Sequence, residues 1–499
     1  MRKAAPGIVP VVAIDRAAAR PLYRQLYEGY REAIVDRRLR PGQRLPSTRS
    51  LARELLISRI PVLNAFEQLM AEGYVEGHVG SGTYVARSLP DQPPTSAAAR
   101  TAGRARPGAR AVARGPAALP RRPAEPWFTG SGAFRMSEVA LDRFPFRLWS
   151  ALVNRHSRNP QRSLLRYGDP MGYRPLREAL AAYLGTARAV RCEPDQIMVV
   201  SGSQQALEIA ARVLLDPGSP ACVEEPGYGG ARDALARAGG RLVPVPVDGD
   251  GFDVAAAEAR CPRPRVVYVT PSHQYPLGLT MSASRRLHLL DWARRRGAWI
   301  IEDDYDSEYR YESLPVAALQ GLDRDARVVY IGTFSKVLFP ALRVGYVVIP
   351  PDLVSRFAGV RVAMDDFPAT LNQAVLADFV HEGHFARHLR RMRQVYAERR
   401  SALVEAIRGE MGRRLEVMGD KAGVHLVATL SGRARDRPIA LRAAGQGLWV
   451  TPLSSCYHGR ATRQGLVLGY GGVDAKEVPE AVARLRRIIA TSPGVSSTR

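Results

Sequence analysis

Residues 298–311 read AWIIEDDYDSEYRY, and residues 328–346 read VVYIGTFSKVLFPALRVGY. One apolar run leads from Ala298 into Asp303 and another from Val328 into Gly332. Each stops where polar side chains begin, which is how a parallel sheet presents chemistry at the carboxyl ends of its strands. The first run delivers Asp303, Asp304 and Tyr305; the second delivers Thr333, Ser335 and Lys336, with Arg343 following in a segment broken by Pro340. An acid at the end of one buried strand and a lysine just beyond the next is what a pyridoxal 5'-phosphate site requires. The amine forms a Schiff base with the cofactor aldehyde, a carboxylate pairs with the pyridinium nitrogen, and hydroxyls with an arginine hold the phosphate dianion. A loop lysine is ordinarily solvated. Two carboxylates closing an apolar run, and TFSK set between two apolar strands, distinguish Lys336 from that common case.

Outward from this centre, IMVVSGSQQALEIAARVLL from Ile197 reads as a strand, a glycine turn and a helix starting near Ser203. A helix amino end directs unpaired amides at an anion, so Gly202, Ser203 and Gln204 are candidate phosphate ligands. A Ser-Gly-Ser turn alone is more often only a turn. A strand from Val266 to Thr270 ends in PSHQYPLG, and helices are expected over Phe144–Val153 and from about Pro175 to Leu184. Strands alternating with helices give an α/β sheet covered on both faces. From about Leu371 a long arginine-rich helix passes through His381, His384, His388 and Tyr396. No carboxylate stands at companion spacing, so these histidines read as solvated or interface residues and no metal site is expected. The strands VHLVATL and QGLVLGYG then suggest a smaller domain beyond residue 371, after a large domain over about 160–370.

The amino-terminal region has its own pattern. Leu22, Leu26, Tyr30, Ile34 and Val35 recur at helical spacing, and that helix should stop before Pro41-Gly42. In LPSTRSLAREL, Ser47 or Thr48 can cap a second helix carrying Leu51, Ala52 and Leu55 on one face. Ser58 can cap a third, with Val62, Ala65, Phe66 and Leu69 inward. EGYVEGHVGSGTYVA reads as two short strands around a glycine-containing turn. Three helices and a hairpin make a winged helix-turn-helix over residues 15–87. Residues 88–126, rich in alanine, proline, arginine and glycine, read as a flexible linker, and 127–499 form the second unit.

The composition agrees more loosely. A chain of 499 residues exceeds what one core usually supports. Its formal net charge of +24 favours an anionic partner, although arginine excess alone does not establish nucleic-acid binding. Four dispersed cysteines make no paired ligand spacing and suit a reducing cytosol. No apolar run approaches the roughly 20 residues that span a bilayer, and no signal peptide is read.

The segments around Lys336, together with RYGDPMGYRPLREAL, SGSQQAL, EEPGYGGAR and TPSHQYPLG, resemble the aminotransferase-like domain of fold type I found in the MocR/GabR-type subfamily of GntR transcription regulators. PGQRLPSTRSLA, Ser58-Arg59 and GSGTYV resemble the GntR DNA-binding domain, so the resemblance covers nearly the whole chain apart from the linker. It implies that Arg49 and Arg59 contact DNA, with Ser58 in the same motif; Asn64 is placed to reach a base and Gly80 to bring the wing to the minor groove. It implies that Tyr228 stacks on the cofactor ring, that Asp303 and Tyr305 address the ring's nitrogen and phenolic oxygen, and that the dimer is head-to-tail. The sequence departs from the family in several places. Leu56 stands at the turn glycine, and Ile60 with Pro61 replaces a polar pair. Compared with ordinary class I aminotransferases, Tyr275-Pro276-Leu277-Gly278 stands in place of Asn-Pro-x-Gly, and the strand Gly465 to Tyr470 offers no substrate-carboxylate arginine, leaving Arg460 and Arg463 just before it.

The expectation is a cytoplasmic, pyridoxal-phosphate-dependent regulator that binds a double-stranded operator. It would sense an amino acid, an amine or the cofactor itself, with at most residual aminotransferase activity. The alternative is an aminotransferase with an added amino-terminal module.

Overall fold

The computed structural model describes residues 12, 14–78, 81–87, 125–311, 316–412, 415–432 and 434–492. The chain divides into two compact units, Met1–Val112 and Ala113–Arg499. Among the described residues, no helix is long and apolar enough to cross a membrane.

In the first unit the helices span Leu22–Val35, Thr48–Glu54 and Arg59–Ala71, followed by β1 (Val75–His78) and β2 (Gly82–Val85), an antiparallel hairpin. Ser47 caps the second helix by accepting the Ser50 N–H at 3.1 Å. Ser58 occupies the cap position of the third helix without a side-chain cap bond. Val62, Ala65, Phe66 and Leu69 are all buried, with Phe66 edge-on to Tyr30 at 5.4 Å between ring centroids. Fully burying Val62, Phe66 and Leu69 contributes about 1.5–3 kcal/mol each. Val35, by contrast, lies on the exposed side of its helix.

Leu56 has φ +52 in the turn between the second and third helices and is 79% exposed. A β-carbon in the left-handed region crowds the following carbonyl, at a cost of about 1–2 kcal/mol. The side chain recovers little of this by burial, while the Arg16 guanidinium holds the Leu55 and Leu56 carbonyls at 3.0 and 2.7 Å.

The second unit is built on an eight-stranded sheet in the order β3 (Ile197–Val200), β10 (Gly345–Val348), β9 (Val328–Thr333), β8 (Trp299–Asp304), β7 (Val266–Val269), β4 (Pro220–Glu225), β5 (Arg241–Asp248) and β6 (Gly251–Phe252). The pairs β4–β5, β4–β7, β7–β8 and β8–β9 are parallel, as the alternation of strands and helices implies. The interior strand β10 is reversed between β9 and β3, which the sequence pattern did not signal. All four of its residues are buried, so its apolar run reads the same in either direction.

A second, antiparallel sheet has the order β11 (Leu415–Met418), β12 (His425–Leu430), β14 (Gly465–Gly469) and β13 (Thr451–Pro452). The expected single arginine-rich helix is two, Leu371–His381 and His384–Met411, separated at Gly383 with φ +74. His388 is buried rather than solvated. Its Nε2 lies 2.9 Å from the Val337 carbonyl oxygen, and burial holds its imidazole below the ordinary value. The short helix Pro126–Thr129 buries Trp127, while 88–124 of the linker reading lie outside the described residues.

Replacing Leu56 with glycine should remove the left-handed penalty, offset in part by glycine's larger unfolded-state entropy, for a net gain of about 0.5 kcal/mol. Native-state hydrogen exchange should show amides of the helix Arg59–Ala71 protected about twofold more in Leu56→Gly. Equal or lower protection would show that Leu56 gains something in the fold that its exposure does not reveal.

Candidate cofactor site and DNA-facing surface

The register of two parallel strands builds the centre of the site. Asp303 of β8 pairs with Ile331 of β9 and Asp304 with Gly332, so both carboxylates emerge at the sheet edge from which the chain runs on to Lys336. Their fates differ. Asp304 Oδ2 is held by Arg188 Nη2 at 2.8 Å and by the Tyr330 hydroxyl at 2.6 Å. The same guanidinium donates to the Val316 carbonyl and the Ser272 hydroxyl. Asp303 Oδ2 accepts the Tyr268 hydroxyl at 2.8 Å and is bonded to no cation; the buried Oδ1 of each of the two carboxylates has no hydrogen-bond partner among the described residues, so the guanidinium on Asp304 is what separates them. Burial pushes the Asp303 carboxyl up to about 7, against the Tyr268 bond and the Lys336 charge, with Asp304 adding to the rise.

Lys336 is half-buried in the turn after β9. Loss of hydration pulls its amine down to about 8, opposed by the carboxylates of Asp306 and Asp303. Thr333 Oγ1 accepts the Ser335 amide at 3.2 Å, which folds the Thr333–Lys336 segment back on itself.

Gly202 caps the helix Ser203–Leu214 with φ +109, and a β-carbon there would lie 3.1 Å from Arg343 Nη2. Arg343, itself at φ +52, therefore sets its exposed guanidinium against a helix amino end that only glycine leaves open. Gln204 Nε2 donates to the Gly230 carbonyl at 3.1 Å, and a β-carbon on Gly230 would collide with both Gln204 and the Tyr228 ring. Tyr228, Tyr275 and Tyr305 form a chain of edge-on rings, with centroids 5.6 and 6.3 Å apart.

Three features of this arrangement fit pyridoxal phosphate. An unpartnered buried carboxylate oxygen calls for a cationic N–H, the Gly202–Arg343 cradle for a dianion, and an amine of lowered basicity for a carbonyl carbon.

Sequence reading missed Tyr268, Arg188, His273, Asp306 and His425. The Tyr305 hydroxyl lies 3.2 Å from His273 Nδ1, which lies 3.0 Å from Asp306 Oδ1. His273 and Asp306 lie in the polar segments just beyond the ends of β7 and β8, close to the signal that flagged Asp303. Tyr268 and Arg188 carried none, being an aromatic in an apolar strand and an arginine in the last turn of a helix. Arg460 lines an open cleft with Arg435, Asp436 and Arg437, and Arg463 is exposed. His273, Asp306 and His425 also bring potential ligand atoms within 4.8 Å of one another. The close His273–Asp306 contact already occupies one ring nitrogen.

In the first unit Arg49, Ser58, Arg59 and Asn64 are all exposed. Arg59 Nε donates to Thr48 Oγ1 at 3.1 Å, tying the start of the third helix to the second. Gly80 lies outside the described residues.

The family model for bacterial regulatory proteins of the gntR family matches residues 22–85, and that for aminotransferase class I and II matches residues 144–485. A probable rhizopine catabolism regulatory protein MocR of Rhizobium meliloti is 42% identical, covering 95% of each chain. The pyridoxine biosynthesis transcriptional regulator PdxR of Corynebacterium glutamicum is 32% identical over 90% of this chain and 92% of its own. Among solved structures, the α-aminoadipate aminotransferase LysN of Thermus thermophilus, complexed with N-(5'-phosphopyridoxyl)-L-leucine, superposes with a TM-score of 0.70 at 29% identity, covering 76% of this chain and 97% of its own. With a gntR-type helix-turn-helix ahead of an aminotransferase-fold unit, and relatives of the same two-part design along nearly its whole length, the chain belongs to the MocR-type subfamily of GntR transcription regulators.

Proposed function

We propose that the second unit binds pyridoxal 5'-phosphate and uses it to sense a small molecule, while the first unit holds a double-stranded operator. The observation that carries this reading is the buried Asp303 carboxylate, bonded to a phenol but to no cation and with its Oδ1 unpartnered among the described residues, on a strand in register with the one that leads to Lys336. When bound, the cofactor supplies a carbonyl that an amine nitrogen can join. Asp303 would hold the ring nitrogen protonated, Gly202, Ser203, Gln204, Thr333, Ser335 and Arg343 would hold the phosphate, Tyr228 would cover the ring, and Tyr305 would donate to its phenolic oxygen. Lys336 would attack in its neutral form, which burial makes available near neutral pH.

The signal is an amino acid, an amine or the cofactor itself; a relative named for regulating pyridoxine biosynthesis supports the last version. A regulator needs its ligand to favour one conformation over another and does not need to release a product. Turnover is therefore not part of the proposal. The cytoplasm is the expected compartment, and a head-to-tail homodimer the expected assembly, with Leu165 and Tyr167, 71% and 88% exposed, offered as interface residues of the second unit.

Purified protein mixed with pyridoxal phosphate should gain a visible band that borohydride bleaches while linking the cofactor to Lys336. Lys336→Ala should carry no fixed cofactor; a covalent adduct persisting in that variant would refute the assignment. Since only the neutral amine attacks, the uptake rate should rise as pH climbs through about 8, well below the ordinary lysine value of 10.5.

On an operator isolated by binding selection, Arg59→Ala should lose about tenfold in affinity at fixed salt without loss of fold, because a charged contact goes while the buried face remains. Wild-type affinity should fall steeply as salt rises. Equal affinity of the two proteins would remove Arg59 from the interface. Rapid multiple-turnover transamination, with operator binding indifferent to cofactor and substrate, would return the reading to an enzyme.

A further inference from the structure

His273 sits in the polar segment after β7, with its side chain and that of Asp306 1% and 0% exposed. Its Nδ1 lies 3.0 and 3.1 Å from the two Asp306 oxygens and 3.2 Å from the Tyr305 hydroxyl. An ionised carboxylate only accepts, so the nitrogen facing it carries the hydrogen and has no lone pair left for Tyr305. The Tyr305 oxygen then shares that N–H at most, and its own hydrogen is free to be given elsewhere. The pair is locked from a second direction. Asp306 Oδ2 accepts the Val424 amide at 3.2 Å, and a β-carbon on Gly423 would lie 2.1 Å from His273 Cε1 and 2.5 Å from Asp306 Oδ2. His425, which begins β12, stacks on Tyr305 at 6.4 Å, and its Nε2 lies 3.1 Å from the Pro276 carbonyl oxygen.

We infer that His273, oriented by Asp306, is a positioning residue that fixes the direction in which the Tyr305 hydroxyl donates, and so sets the electronic state of the bound cofactor. The inference rests on the pyridoxal phosphate reading of the site. Because Asp306 and His273 are clamped by Gly423, Val424 and His425 at the start of β12, the donor direction is held jointly by the two sheets of the unit. The other titratable groups around Tyr305 and His273 are Asp303, Glu224, Lys336, Tyr275 and His425. Burial and the neighbouring His273 push the His425 imidazole down to about 3, so that it stays neutral beside the pair.

The test is a pH titration of the visible band of full-length, cofactor-loaded protein. Losing a donor to the phenolic oxygen leaves more negative charge there, which holds the adjacent proton more tightly. The midpoint in Tyr305→Phe should therefore move up by about one pH unit. His273→Leu should move it the same way, and the double variant should move it no further than either change alone. His273→Asn, whose carboxamide N–H reaches the position of Nδ1, should return the midpoint towards wild type. His273→Gln, whose carboxamide reaches the position of Nε2 rather than Nδ1, should behave like His273→Leu and covers the case in which His273→Leu does not fold. A midpoint unchanged in His273→Leu or His273→Gln while Tyr305→Phe shifts, or additive shifts in the double variant, would overturn the inference alone. A wild-type chain that takes up no pyridoxal phosphate would overturn the cofactor reading and this inference with it.

Discussion

Two carboxylates in succession at the end of one buried strand must each be satisfied without water, and the site is arranged around how that demand is met. Asp304 receives a guanidinium and a phenol, which anchor β8 to the end of the helix Arg174–Arg188 and to β9. Asp303 receives one phenol and no cation, although each carboxylate keeps one buried oxygen without a partner among the described residues. Breaking a buried ion pair by removing one partner costs about 3–5 kcal/mol, so the first arrangement resists change. The second is a carboxylate without a bonded cation, a partner suited to a protonated ring nitrogen. Identical residues on adjacent positions thus do different work because their neighbours differ.

The broad plan was legible because both units follow simple periodicities. In the first unit the inward positions of the third helix and the hairpin with its turn are local patterns that tertiary context does not overturn. In the second, apolar runs ending in polar residues located β8, β9 and the helix from Ser203. The reversed strand β10 was not legible, since a strand buried on both faces carries no mark of direction. The buried His388 was hidden by the arginines that make the helix His384–Met411 look solvated, and the break at Gly383 by the lack of a proline at the boundary.

Legibility of the site followed distance along the chain. Asp303, Tyr305, Thr333, Ser335 and Lys336 come from two neighbouring strand ends and could be read together. Tyr268 and Arg188 act on the same carboxylates from remote segments, and only the sheet order brings them there. Leu56 shows the reverse case. The departure from glycine was visible in the sequence, and the backbone kept the left-handed conformation instead of yielding to the side chain.

The place of β3 at the sheet's edge has a consequence for how the protein is made. Its hydrogen-bonded neighbour is β10, and every other strand of that sheet is synthesised between the two. The strand that leads into Gly202 and Ser203 therefore leaves the ribosome long before its partner and must wait with its apolar residues uncovered. The helices and hairpin of the first unit close through contacts near in sequence, which form quickly. During translation the regulator passes through a stage with its amino-terminal unit closed and its main sheet still open along one edge. The speed at which synthesis reaches Val348 then bears on how many chains escape aggregation.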